Sequence, residues 1–215
     1  MPLTDSKKTA PWLLPVILAG MTLLTSGLLM IGNELTAPQI AAQQQAKKLA
    51  SLQRLIPAEW HDNDLLTDAV AINEPDLLGH RQAKLMYIGT IAGKVTARAI
   101  PVVARNGYSG DIELLVGVRA DGQITAVEII SHKETPGLGD LIERRKSDWL
   151  EQFPETSLDD PLPQQWAVKK DQGAFDQITA ATITPRAVVA AIKRVLLYHQ
   201  HIATEPIPTG AQNNE

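Results

Sequence analysis

Three threonines stand close together in the segment 176–185, whose sequence is DQITAATITP. Threonine followed by proline is typical of a helix N-cap and the first helical position, so Thr184 is predicted to cap a helix that runs from residue 185 to about residue 199. The Thr182 hydroxyl would then lie two residues before the cap, beside free backbone N–H groups and the positive end of the helix dipole. A phosphate ester on this hydroxyl would be stabilised at that position.

The same threonines also have a simpler interpretation, in which they shape a turn and cap the helix without carrying any group. Threonines are common before helices, and a helix end attracts anions whether or not it has a function. The residues alone leave both interpretations open.

A second segment of interest is the Gly/Pro-rich loop at residues 134–139, ETPGLG, which could be a plain turn. Together the two segments resemble the covalent-FMN-binding domain family, whose attachment motif is Ser/Thr-Gly-Ala-Thr with an upstream Asp. Residues 107–112, GYSGDI, and 132–140, HKETPGLGD, also match that family. The joint occurrence of ETPGLG and the threonine motif makes the resemblance specific.

The resemblance implies that FMN is esterified through its phosphate to Thr182, which is an attachment point and not a catalyst. It also implies two groups of residues around the flavin. These are Thr179, Ala180, Ala181 and Ile183 beside the attachment point, and Glu134, Thr135, Pro136, Gly137 and Leu138 in the loop.

The chain departs from the family motif at Ala180, where glycine is usual. If this position has a positive φ, alanine costs about 1 kcal/mol relative to glycine.

An apolar run precedes this domain. Residues 12–31 carry no charge, and a helix of about 20 residues spans the ~30 Å core of a bilayer. Lys7 and Lys8 stand before the run, so the positive-inside rule predicts a cytoplasmic N-terminus and a periplasmic domain on a bacterial inner membrane. A cleaved signal peptide and a buried core helix are the alternatives.

With this anchor, the chain resembles the RnfG family, whose members belong to Rnf-type electron-transport complexes. The resemblance implies an electron carrier, not an independent catalyst, that works with other membrane proteins of the complex in coupling electron transfer to ion translocation. It also implies a separate Mg²⁺-dependent flavin transferase that uses FAD, since no activating base stands near Thr182 in the sequence. Two alternatives remain: an assembly protein of the complex with a decayed motif, or the FMN-carrying component of the sodium-pumping NADH:quinone oxidoreductase, which shares the domain.

The predicted fold class is α+β, with one transmembrane helix followed by a single domain that has an antiparallel sheet and flanking helices. The predicted division is an anchor at residues 1–34, the FMN-binding domain at 35–203 and a disordered tail at 204–215. Alternating apolar residues and turn signals predict four strands, at residues 84–91, 94–103, 111–119 and 123–131. Further helices are predicted at 36–55 and 141–153, and a short strand at 166–169.

Composition excludes several classes of function. The chain has 215 residues, a net charge of −4 and no cysteine. The absence of cysteine excludes disulfides, iron–sulfur ligation and a cysteine nucleophile, and the absence of a basic stripe predicts no nucleic-acid partner. His199 and His201 are two residues apart, do not share a helix face, and are not predicted to be metal ligands.

Overall fold

The computed structural model describes residues 12–203. These residues form two α-helices and five strands, joined by turns and short 3₁₀ segments. In chain order the elements are α1 (Leu13–Leu55), β1 (Val70–Ile72), β2 (Lys84–Ile91), β3 (Lys94–Ala104), β4 (Ile112–Arg119), β5 (Ile124–Ser131) and α2 (Ile183–Ala203).

The chain divides into two compact units, Met1–Leu49 and Ala50–Glu215. The sequence-predicted boundary at residues 34 and 35 stays a prediction. The predicted cytoplasmic start of the chain and its disordered tail fall on residues 1–11 and 204–215, outside the described residues.

In the first unit, the chain is helical from Leu13 onward, and the helix α1 continues to Leu55. The apolar run at residues 12–31 and the helix predicted at 36–55 belong to one continuous helix, because the backbone stays helical through Pro38, which removes only one helical hydrogen bond. Within residues 12–203, none of the helices combines the length and the apolar character that crossing a membrane demands. Large apolar side chains are nevertheless exposed on α1: Val16, Ile17, Leu18, Met21, Leu23, Leu24, Leu28, Leu29, Met30 and Ile31.

In the second unit, the five strands form one antiparallel sheet in the order β1-β2-β3-β4-β5. The four predicted strands are present, with ends that differ by one residue at most, whereas β1 was not predicted. A two-residue turn joins β2 and β3, in which Ala92 and Gly93 have φ values of 49° and 75°. Such left-handed turns match the right-handed twist of the paired strands.

Both faces of the sheet are covered, which explains why its strands are apolar on both sides. Helix α2 packs on one face through side chains such as Val188, Ile192 and Val195, which share a core with Val102 and Val116. The other face is covered by Leu52, Leu55 and Ile56 at the end of α1, which pack against Ala97, Ala99 and Leu115. The sheet therefore supports α2 along its length. The first residues of this helix lie next to Thr182, the attachment point that the family resemblance implies.

Two predicted elements between the sheet and α2 are wrong. The predicted helix at residues 141–153 is two 3₁₀ segments, Gly139–Ile142 and Trp149–Gln152. The Ser147 hydroxyl donates to the Leu141 carbonyl and accepts from the Trp149 N–H, so local side-chain bonds replace the helical ones. The predicted strand at 166–169 is reduced to one bridge between Val168 and Phe175, and Trp166 packs against the Phe175 ring.

An aromatic cluster holds the segment before α2 in place. Phe153 lies between Trp149 and Phe175, with ring centroids 5.2 Å and 5.0 Å away, and Trp166 lies 4.6 Å from Phe175. The Trp149 indole N–H donates to the Asp176 carbonyl at 2.7 Å. This hydrogen bond fixes the backbone at Asp176, where the segment that leads to Thr182 begins.

Candidate functional site

A cavity of about 280 Å³ opens at the start of α2. Three segments surround it: the loop at residues 107–110, the loop at 134–139 and the turn that leads into α2. Its walls are formed by Tyr108, Glu134, Thr135, Leu138, Gly139, Ala180, Ala181, Thr182, Ile183 and Thr184. The cavity is near the lower end of the size range of small-molecule sites, about 300 Å³, so a larger ligand would extend beyond its mouth.

Thr182 occupies the N-cap position of α2. The helix begins at Ile183, and the Thr182 carbonyl accepts the first helical hydrogen bond, from the Arg186 N–H at 3.3 Å. The helix therefore starts two residues earlier than predicted, and the prediction of Thr184 as the cap is wrong. Thr182 is half-buried and borders the cavity, so its hydroxyl lies directly at the positive end of the helix dipole.

The turn before Thr182 contains a strained residue. The Ala181 N–H bonds to the Ile178 carbonyl at 3.1 Å, which closes a four-residue turn with Ala180 in its third position. Ala180 has a φ of 62°, in the left-handed region where residues with a side chain pay a steric penalty. With a positive φ at this position, the alanine that replaces the usual glycine of the family motif costs about 1 kcal/mol of stability.

Glu134 connects the three segments. Its side chain is 5% exposed, and each carboxylate oxygen has one donor. The Ser109 N–H donates to Oε1 at 3.0 Å, and the Thr184 hydroxyl donates to Oε2 at 2.5 Å. A buried carboxylate needs such partners, so Glu134 holds the 107–110 loop and the first turn of α2 against its own loop.

Two glycines make this arrangement possible, because a side chain at either position would meet the carboxylate. A Cβ on Gly107 would lie 2.8 Å from Glu134 Oε1, and one on Gly139 would lie 2.7 Å from Oε2. Both distances are under 3.0 Å, closer than real Cβ atoms come to a neighbouring atom. The glycines of the two predicted loops thus serve a close approach around Glu134.

A network of His132 and the charged residues Glu143, Arg145 and Lys146 supports the start of the 134–139 loop. His132 Nδ1 accepts the Glu134 backbone N–H at 3.0 Å, and His132 Nε2 lies 3.1 Å from Glu143 Oε1. Since Nδ1 is an acceptor here, Nε2 carries the hydrogen and donates to Glu143. Arg145 first, and then Lys146 and His132, lower the pKa of Glu143 to about 2.

Most of the sequence-predicted site residues line this cavity. Those that do are Thr182, Ala180, Ala181, Ile183, Glu134, Thr135 and Leu138. Thr179, Pro136 and Gly137 are exposed and do not line it. Lys169 does not line the cavity and forms an ion pair with Asp176 at 2.6 Å.

Sequence reasoning missed three residues of the cavity, namely Tyr108, Gly139 and Thr184 in its walls. Tyr108 and Gly139 lie within the stretches 107–112 and 132–140 that resemble the FMN family, so the resemblance could have identified them as site residues. Thr184 carried no such signal, since the sequence favoured a capping role.

The arrangement is suited to a flat ligand that carries a phosphate. The half-buried Thr182 hydroxyl and the first turn of α2 provide a place for the phosphate, and apolar side chains with a few polar groups line the space next to it. The residues present therefore fit FMN, whose isoalloxazine ring and phosphate have these properties.

A second cavity of about 120 Å³ lies at the other end of α2, beside His199. His199 is 3% exposed, and neither ring nitrogen has a hydrogen-bond partner within the described part of the chain. Burial, assisted by the nearby charge of Arg98, lowers the pKa of His199 to about 4. The imidazole is therefore neutral at physiological pH.

Comparison with known proteins gives two family matches. Residues 107–197 match the FMN-binding domain, and residues 16–55 match the RnfG N-terminal region.

Relatives over most of the length carry the name of the G component of an ion-translocating oxidoreductase complex. The one from Shewanella oneidensis is 42% identical over 203 residues, covering 93% of this chain and 96% of the relative. The one from Aliivibrio fischeri ES114 is 41% identical and covers 92% of each chain. The one from Pseudoalteromonas atlantica is 45% identical and covers 86% of each. A crystal structure of Shewanella oneidensis NqrC is more distant, with 19% identity and a TM-score of 0.42 over 65% of this chain and 75% of that one.

Ala180→Gly is expected to raise the free energy of unfolding by about 1 kcal/mol, because glycine adopts a φ of 62° without the steric cost. Denaturant unfolding followed by tryptophan fluorescence measures the change. Ala181→Gly is the matched control. Ala181 does not have a positive φ, so glycine there should destabilise the fold. Equal effects of the two substitutions would contradict the assigned turn.

The unfolding free energy is expected to decrease as the pH falls from about 4.5 to about 2. Glu143 has a pKa of about 2 in the folded chain, against an ordinary value of 4.5, so over this interval the unfolded chain binds the extra proton. Unfolding midpoints measured across this range should change less with pH in Glu143→Gln. Arg145→Gln should flatten the profile partly, and an unchanged profile in both variants would refute the network.

Proposed function

Because the chain belongs to the RnfG family of ion-translocating oxidoreductase complexes, we propose that it carries FMN, covalently bound through a phosphoester at Thr182. In this role the chain relays electrons between membrane proteins of the complex. The observation that carries the proposal is the position of Thr182, which is half-buried at the N-cap of α2 and borders a cavity of about 280 Å³.

The helix end supports a phosphoester at Thr182 for a specific physical reason. The first N–H groups of a helix have no partner within the helix, and Ile183 and Thr184 hold two of these groups. A phosphodiester carries one negative charge, which the helix dipole and these donors stabilise. Pro185 has no N–H, so the donors are concentrated at the two residues next to Thr182.

Attachment requires a second protein, since Glu134, the carboxylate in the cavity wall, has one oxygen bonded to Ser109 and the other to Thr184, not to the Thr182 hydroxyl. The hydroxyl oxygen would bond to the flavin-side phosphorus of FAD, and AMP would leave, with the hydroxyl proton accepted by a Mg²⁺-dependent transferase. Thr179 and Ala180 are exposed, so a transferase can approach the motif. The preceding residue, Ile178, is buried in the hydrophobic core and holds the motif in place.

Bound FMN supplies one- and two-electron chemistry, and the protein supplies its position and surroundings. Glu134, held by Ser109 and Thr184, fixes the walls of the site without being free to move. Leu138 and Ile183 contribute apolar surface. A covalent bond prevents loss of the flavin in a compartment that does not replace it.

We further propose that residues 12–31 anchor the chain in the bacterial inner membrane, with the domain in the periplasm. The run contains no charged residue and follows Lys7 and Lys8. Exposed apolar side chains such as Leu23, Leu29 and Met30 support this proposal, because lipid would cover them.

One observation favours a second candidate function. The left-handed Ala180 departs from the glycine of the attachment motif, as expected for an assembly protein that no longer receives flavin. Such a protein would dock the other members of the complex and take no part in electron transfer.

Thr182→Ala is expected to abolish covalent flavin, because the only proposed attachment oxygen is removed. The chain, produced together with the transferase, is compared by intact mass and by in-gel flavin fluorescence after denaturation. The parent should gain the mass of FMN less one water, and Thr182→Ser should keep some of it, since serine provides the same oxygen. Ala180→Gly should load flavin as well as the parent or better.

Three outcomes separate the candidate functions. Retention of covalent flavin in Thr182→Ala would place the attachment elsewhere. A parent chain with only the mass of its amino acids, despite an active transferase, would support the assembly protein. Loss of covalent flavin in a folded Thr182→Ala chain, together with retention in Thr182→Ser, supports the carrier.

The topology predicts that protease added to intact spheroplasts digests the domain, because the domain is periplasmic. The measurement is immunoblotting of the domain before and after protease, with a cytoplasmic protein as the control for intact cells. Protection of the domain until the membrane is permeabilised would overturn the proposed orientation.

A further inference from the structure

Tyr108 is the most exposed aromatic side chain among the residues that the structure describes, at 68%. Tyr87, Tyr198, Phe153, Phe175 and Trp166 are all buried. Exposure of an aromatic ring to water costs free energy that burial would recover. An exposed ring on the wall of a cavity therefore indicates a surface that a ligand covers.

The loop that carries Tyr108 is held in one position. The next residue, Ser109, donates its backbone N–H to the buried Glu134 carboxylate at 3.0 Å. On the other side, a Cβ on Gly107 would lie 2.2 Å from the Gly110 carbonyl oxygen, so the chain turns too tightly for a side chain there. A ring on such a fixed loop is preorganised and loses little freedom when it binds a ligand.

Two further apolar side chains complete the same rim. Leu138 is 41% exposed and Ile183 is 45% exposed, and both line the cavity together with Tyr108. The polar lining groups come from Glu134 and the threonines, and Thr182 provides the attachment point. The cavity thus has polar groups that suit the phosphate end of a ligand and an apolar rim that suits a flat ring.

We infer that Tyr108 stacks on the isoalloxazine ring of the flavin, with Leu138 and Ile183 contacting the ring from the other segments of the rim. This inference rests on the proposed attachment of FMN at Thr182. The cavity, at about 280 Å³, is small for a whole flavin nucleotide, so the ring lies at the mouth, where these side chains are. Offset stacking of aromatic rings is favourable beyond the apolar area that it buries.

The test uses the quenching of flavin fluorescence by a stacked tyrosine. When the two rings are in contact, the phenol ring passes one electron to the excited flavin and then takes it back, so little light is emitted. The full-length chain is produced with the transferase, and the fluorescence yield is measured per covalently bound flavin, counted by intact mass. Tyr108→Ala should raise this yield several-fold, and denaturation should abolish the difference from the parent.

Tyr108→Phe is the matched variant, because it keeps the ring but is a poorer electron donor. It should raise the yield while it keeps the visible absorption spectrum of the parent, whereas Tyr108→Ala should also shift that spectrum. Leu162→Ala is the control, since Leu162 is 49% exposed but lies outside the cavity wall. It should change neither quantity.

The outcomes distinguish this inference from the proposed function. Covalent flavin at full occupancy with an unchanged yield in Tyr108→Ala would overturn the stacking and leave the carrier function standing. The exposed rim would then be a surface for another protein of the complex. A parent chain without the flavin mass would overturn both. Tyr108 is exposed in the chain without flavin, so its substitution should leave the unfolding midpoint of that chain unchanged, which shows that the fold is intact.

Discussion

The carboxylate of Glu134 is the group on which the shape of the site depends. It is 5% exposed, and a charge so deeply buried persists only with donors at both oxygens. The donors come from Ser109 and Thr184, which are 25 and 50 residues away in the chain. One buried carboxylate therefore brings a loop, a second loop and a helix start to the same point. Loss of Glu134 would leave two donors without partners and three segments without a common contact.

The two threonines at the start of α2 have different surroundings, and their positions in the first turn explain the difference. Thr184 is buried and donates to Glu134, so its hydroxyl is used within the fold. Thr182 is half-buried at the N-cap and borders the cavity. The strain at Ala180 lies two residues before this position, in the turn through which the chain enters the helix. The proposed attachment at Thr182 needs a residue that an enzyme can reach and that is fixed in place, and the N-cap of a well-packed helix meets both conditions.

The fold shows where local sequence is a good guide and where it is not. Strands β2 to β5 were predicted to within one residue, because alternating apolar residues and short turns such as Ala92-Gly93 are local properties. The predicted helix at 141–153 was wrong because Ser147 bonds to nearby backbone groups and Trp149 packs into an aromatic cluster. The bridge of Val168 to Phe175 likewise reflects that cluster and not the strand propensity of its residues. At these two elements, local side-chain bonds and contacts within the aromatic cluster outweighed the propensity of the residues.

The sequence by itself determined the α+β class, the apolar N-terminal run and the family resemblance that singles out Thr182. These follow from periodicity, composition and short motifs, which need no knowledge of distant residues. Only the tertiary structure decided that Tyr108 borders the same cavity, that Thr184 turns inward to Glu134 and that Ala180 has a positive φ. The physical reason is that these properties depend on burial and on hydrogen-bond partners far along the chain, and the position of Thr182 beside a cavity depends on the same contacts.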